Sequence, residues 1–135
     1  MTSIEWRDDF NINVRELDAQ HRTMAGLVNR LHRAVDDHEA PEAVGAILAQ
    51  LVECTRDHFA TEERMMLEHG YPEYGAHMRE HQDLLEQLET LRRKVSGGAG
   101  PVFAAGADFS SDWVMVHLLG SDKRFGDFLN RKNVY

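Results

Sequence analysis

His77-Met78-Arg79-Glu80-His81 is the stretch on which the reading of this chain turns. On an α-helix, positions four apart are separated by about 40° around the axis and about 6 Å along it. Two imidazoles so placed can aim at one point, which is the geometry a metal ion requires. Alone the spacing is weak, because any histidine-bearing helix produces it by chance. Its weight comes from its company: His21 upstream, then His58-Phe59-Ala60-Thr61-Glu62, and His117-Leu118-Leu119-Gly120-Ser121-Asp122 near the end. Each expected helix carries one such group.

Working outward, apolar residues recur every three or four positions. Residues 1–12 read as an arm with Ile4, Trp6, Phe10 and Ile12 as apolar points. Asn13-Val14-Arg15-Glu16 has the form of a capping box, from which Leu17, His21, Met24, Val28, Leu31 and Val35 mark a first stripe. That helix is expected to end within residues 36–40, with Pro41 in the first turn of the next. Val44, Ile47, Leu48, Leu51, Cys54, His58 and Glu62 mark the second helix, stopped by Gly70. After Tyr71-Pro72, a third carries His77, His81, Leu84, Leu85, Leu88, Leu91 and Val95. Ser96-Gly97-Gly98-Ala99-Gly100-Pro101 reads as a flexible connection to a fourth, with Val102, Phe109, Trp113, Val116, His117 and Gly120. No strand pattern competes. The expectation is an all-α protein: one domain over 1–135, with arm 1–12 and an antiparallel up-down four-helix bundle over 13–135.

Composition narrows the function classes. The 135 residues suffice for one substantial core. With 15 basic against 23 acidic residues the net charge is −8, so nucleic acid and anionic membranes are not expected partners. The single cysteine, Cys54, forms no intrachain disulfide, and its apolar neighbours favour a small buried thiol over a ligand. The start of the chain shows no signal-peptide pattern and no apolar run reaches membrane-spanning length, so a cytoplasmic location is expected.

In a bundle the four stripes face one core, where histidines and carboxylates need partners because unpaired burial is costly. A lone core histidine, such as His21 taken singly, is more often hydrogen-bonded to backbone. His21, His58, Glu62, His77, His81, His117 and Asp122 together would require many independent polar rescues, and a metal site replaces them all. His38 and His69 fall at helix ends, where an imidazole suits the dipole. His32 lies too far along its helix to join. Five imidazoles and two carboxylates exceed one tetrahedral zinc and suit two six-coordinate ions. With the carboxylates bridging and one oxo or hydroxo bridge added, a single position stays open. The five-residue spacing of His117 and Asp122 diverges by about 140° on a regular helix. A π-type turn, or a local distortion helped by Gly120, is therefore expected there.

These residues resemble the hemerythrin family, specifically the single-domain bacterial hemerythrins. The resemblance runs through Ile4-Glu5-Trp6, Leu17-Asp18-Ala19-Gln20-His21, His58-Phe59 with Glu62-Glu63, Tyr71-Pro72 before His77 and His81, and Trp113 before His117. It implies a non-haem di-iron centre that binds O2 reversibly, as carrier, store or sensor. His77, His81 and His117 go to a coordinatively full iron and His21 and His58 to the iron with the vacancy, where other small anions can also bind; Glu62 and Asp122 bridge. Met24, Val28, Phe59, Trp113 and Leu118 are the implied O2-pocket residues, each equally explained by ordinary core packing. The alternative is a di-iron oxidase, peroxidase or nitric-oxide-handling enzyme, or an iron store. Ferritin-like enzymes use Glu-x-x-His motifs, and this sequence has none, which favours binding over catalysis. A sensor would need a separate protein partner for its output.

Overall fold

The apolar stripes become α1 (Arg15–Asp36), α2 (Pro41–His69) and α3 (Tyr74–Ser96), and a π-helical turn, Leu118–Asp122, leads into α4 (Lys123–Arg131). A short 3-10 turn, Asp8–Phe10, precedes them. The computed structural model describes residues 7–96 and 117–135. The readings on Ile4, Trp6, residues 97–101, Val102, Phe109, Trp113 and Val116 lie outside the described residues, as does that on the Leu118 side chain. Among the described residues there is no strand, and no helix is long and apolar enough to cross a membrane.

The helix ends follow local chemistry. Pro41 opens α2, where its missing N–H costs nothing. Gly70 closes it in the left-handed conformation (φ 67°), its N–H reaching the Met66 carbonyl. The start of α1 departs from expectation. Val14 is the N-cap and makes no side-chain cap hydrogen bond, while Asn13 sits outside the helix at φ 64°. Asparagine tolerates that left-handed conformation better than most residues. The polar work falls instead to buried Asp18, whose Oδ1 accepts the Ile12 N–H at 2.7 Å.

Cross-helix bonds show the antiparallel order. Along α1, Glu16, Gln20 and Arg30 meet Arg64, Thr61 and Gln50 of α2. Arg56 and Glu63 of α2 meet Glu89 and His81 of α3. Glu73, just before α3, meets Arg124, and Glu80 of α3 meets His117. The ring closes where Asn130 Nδ2 donates to the Asn13 carbonyl at 3.0 Å. There Gly126 lies against the arm: a Cβ would stand 2.6 Å from the Ile12 carbonyl oxygen.

Leu17, Leu31, Leu48, Leu51, Met66, Leu88, Phe125 and Leu129 are fully buried between the helices. Into this apolar interior the fold also brings buried His21, His58, Glu62, His77, His81, His117 and Asp122. His32 is buried but belongs to no ligand group, His38 is exposed beyond α1, and His69 sits at the C-terminus of α2. Cys54 is half-buried rather than enclosed, and burial, with Asp57 nearby, pushes its thiol up.

Candidate metal centre

The expected irregularity is present in the last helix. The π-helical turn Leu118–Asp122 follows directly on His117. Its wider turn carries residues five apart toward one face, so both His117 and Asp122 point inward. Nothing steric at Gly120 calls for glycine: a Cβ there would meet open space, and its backbone is not left-handed.

Two groups of donor atoms form, each gathered within 4.8 Å: Glu62, His77, His81, His117 and Asp122 in one, His21, His58, Glu62 and Asp122 in the other. Glu62 and Asp122 belong to both. The two Asp122 oxygens divide the centre: Oδ1 lies 2.9 Å from His117 Nε2 and 3.2 Å from His77 Nε2, and Oδ2 lies 2.9 Å from His21 Nε2. Glu62 Oε1 sits between His81 Nε2 at 3.1 Å and His58 Nε2 at 3.4 Å.

Despite this crowding, the Nε2 atoms of all five histidines and all four oxygens of Glu62 and Asp122 lack a hydrogen-bond partner among the described residues. Buried polar atoms are almost always satisfied, so such a cluster needs another explanation. Their lone pairs converge on shared points rather than on one another. Imidazole and carboxylate donors of this kind suit divalent first-row metals.

The outward-facing ring nitrogens tell the complementary story. His58 Nδ1 donates to Gln20 Oε1 at 2.6 Å, and His81 Nδ1 donates to Glu63 Oε2 at 3.3 Å. His117 Nδ1 donates to Glu80 Oε1 at 2.7 Å. Each bond keeps a proton on Nδ1 and turns Nε2 toward the centre, where it is the nitrogen available to a cation. Gln20 is itself oriented, its Nε2 donating to Thr61 Oγ1 at 3.2 Å and Thr61 Oγ1 donating to the Asp57 carbonyl. Sequence reasoning missed these supports. The signal was present, since Gln20, Glu63 and Glu80 each adjoin a candidate ligand in the chain. One residue along a helix turns the side chain about 100°, toward the neighbouring helix.

The electrostatics favour a bound cation. Burial pushes His58 down to about 4, and burial with His117 and His77 nearby pushes His81 down to about 2, so both imidazoles stay neutral. Burial, and then Asp122, raises Glu62 well above the usual carboxylate range. Burial works against the Asp122 charge too, but His117 beside it holds that carboxyl well below its usual range. Burial likewise opposes a charged His117, and Asp122 overrides it. Two adjacent buried carboxylates thus cannot both ionise with a single imidazolium between them. Positive ions at the shared points remove the conflict.

Of the expected pocket residues, Met24, Val28 and Phe59 are buried. Phe59 stacks on His81, with centroids 3.8 Å apart and planes within 4°, and is more distant from His58 at 5.9 Å. It therefore lies closer to the three-histidine group than to the pair.

Known proteins match the chain over nearly its whole length. The family model described as the hemerythrin HHE cation binding domain matches residues 13–129. A bacteriohemerythrin of Stenotrophomonas maltophilia is 33% identical, over 94% of this chain and 82% of its own length. A myohemerythrin of Sipunculus nudus is 28% identical over 89% and 88%. A crystal structure of wild-type hemerythrin superposes with a TM-score of 0.86 at 30% identity, covering 95% of this chain and 98% of its own. Sequence and fold agree, and the chain belongs to the hemerythrin family.

Proposed function

We propose that this chain binds O2 reversibly at a non-haem di-iron centre, as a carrier, store or sensor in the cytoplasm rather than as an enzyme. His77, His81 and His117 would hold one iron and His21 and His58 the other, with Glu62 and Asp122 shared by both and an oxo or hydroxo ligand between them. The observation that carries this reading is the set of buried, unpartnered donor atoms in two groups sharing Glu62 and Asp122. The irons would supply one electron each and one open coordination position, on the His21–His58 side, which other small anions could also occupy.

The chain's own residues do the rest. Gln20 keeps the His58 lone pair aimed inward, and Glu63 and Glu80 do the same for His81 and His117. Buried Met24, Val28 and Phe59 wall the site with apolar surface, joined in this proposal by Trp113 and Leu118. An apolar wall excludes water and proton donors, which favours release of O2 over its conversion to hydrogen peroxide. The whole of 13–135 acts as one domain in this reading, with 1–12 as its arm.

Metal analysis together with the optical spectrum of the anaerobically reduced protein tests the proposal. Two irons per chain are expected, with a spectrum that changes on exposure to air and reverts when O2 is removed. One metal per chain, or mostly zinc from iron-sufficient cells, contradicts the di-iron centre. Sustained turnover with an added reductant makes the enzyme reading the better one.

A further inference from the structure

One carboxylate on α3 holds both ends of the π-helical turn. Glu80 Oε1 accepts from His117 Nδ1–H at 2.7 Å, and its Oε2 accepts from Ser121 Oγ–H at 2.6 Å. His117 immediately precedes the turn, and Ser121 adjoins Asp122 at its far end. We propose that Glu80 is a positioning residue: a two-pronged latch that stabilises the π turn and so sets Asp122 on the same face as His117. The inference rests on reading the centre as a metal site.

A latch matters because π turns are rare and occur mostly as single-turn bulges inside α-helices. The turn's own sequence supplies no steric compulsion. Residues 117–131 contain no proline, and a side chain at Gly120 would meet open space. Gly120-Ser121 makes the segment deformable without selecting the deformation. Glu80 ties the segment to α3 at two points, His117 just before the turn and Ser121 beside Asp122, and so holds the turn in place from outside its own sequence. The directions of the bonds agree: Arg124 Nη2 donates to Ser121 Oγ at 3.4 Å, leaving the serine hydroxyl proton for Glu80. Gln20 and Glu63 support one imidazole each, whereas Glu80 supports an imidazole and the backbone turn that carries the shared carboxylate. Reversion of the turn to a regular α-helix would swing Asp122 away from both groups at once.

The test uses the full chain and its Glu80→Ala, Glu80→Gln and Ser121→Ala variants, iron-loaded and chelator-stripped. Amide hydrogen exchange reports on residues 118–123, and chelator-driven iron release reports on the centre. In stripped protein, Glu80→Ala is expected to speed exchange in the turn about tenfold while α2 is unchanged. In loaded protein it should speed iron release by about 10–100-fold. Ser121→Ala should loosen the turn with a smaller effect on release. Glu80→Gln should leave exchange in the turn near the parent's, since an amide can accept from His117 and donate to Ser121 Oγ, while speeding iron release less than alanine does. Unchanged turn exchange in Glu80→Ala overturns the proposal, as does Glu80→Gln proving as damaging as alanine, which would assign the effect to charge. A parent chain that takes up no iron pair removes the metal reading; exchange in the stripped protein still decides whether Glu80 holds the turn.

Discussion

The two halves of the centre share two carboxylates but are braced differently. On the three-histidine side, carboxylates back His81 and His117, and Phe59 stacks against His81. On the two-histidine side, a neutral amide, Gln20, backs His58, and His21 Nδ1 has no hydrogen-bond partner among the described residues. Among the described residues, support passes from helix to helix, α1 to α2, α2 to α3, α3 to His117 before α4, and does not return to α1. Carboxylate-backed imidazoles are better donors and more rigidly held than amide-backed or free ones. The half proposed to keep the open position is therefore the less constrained one. A site that admits and releases a small ligand benefits from that difference.

The largest effect comes from erasing what the halves share. Glu62→Ala or Asp122→Ala takes a donor from both groups, so metal content should fall from a pair toward none. His81→Ala should spare the other half in part. Elemental analysis of the purified variants decides, and a retained pair in Glu62→Ala would falsify its bridging role.

Acid should separate the halves. In metal-stripped protein His58 binds its proton near pH 4, and the unfolded chain binds it near 6.5. The unfolded state thus holds more protons between those values, and folding stability drops as pH falls through that window. The loss amounts to about 3 kcal/mol by pH 4 from His58 alone. His81, lowered to about 2, acts in the same direction but resists protonation further. His117 has the opposite sign: its raised value adds stability below pH 6.5 that is lost as pH rises through it. Denaturant titrations at pH 7 and pH 4 measure the sum. In loaded protein, acid should release metal from the two-histidine half first.

Exchanging the braces sharpens the contrast. Gln20→Leu strands the His58 Nδ1–H and should weaken metal binding by about 10–100-fold, confined to the His21–His58 group. Gln20→Glu makes the halves alike and should tighten that group, as read by competition with a chelator. The smallest effect is expected at Gly120. With open space for a Cβ and an ordinary helical backbone, Gly120→Ala should stabilise the chain by up to about 1 kcal/mol in thermal unfolding.

Helix positions and the set of buried donors were legible because both are periodic. Stripes spaced by three and four place Leu17, His21 and Val28, or His77 and His81, on one face whatever the neighbours do. Even the break in the last helix could be read, since a five-residue spacing of paired groups does not fit a regular helix, and the structure resolves it as a π turn. What resisted reading depends on a second segment. Nothing around Asn13-Val14-Arg15-Glu16 shows that Asn13 turns left-handed and that Asp18 takes the Ile12 N–H, because both follow from the arm crossing α4. Gln20, Glu63 and Glu80 look like polar surface residues until the rotation of the adjacent helix is known. Gly120 is a visible candidate for easing the turn, whereas the brace proposed for it lies on α3 and shows only in the folded chain.

The arm's seat against Gly126 has a consequence for how the protein reaches this state. Contacts between α1 and α2, or α2 and α3, close short hairpins, whereas Asn13 and Asn130 meet across 117 residues. Long-range closures carry the larger entropic penalty and tend to come late in folding. Asp122 lies on that late-arriving segment and completes both donor groups. An ion pair can then recognise only the finished bundle, and the stabilisation it adds by mass action falls on the docking of the last helix. Loading would serve as a proofreading step: chains whose ends have not met hold metal poorly and stay open to degradation.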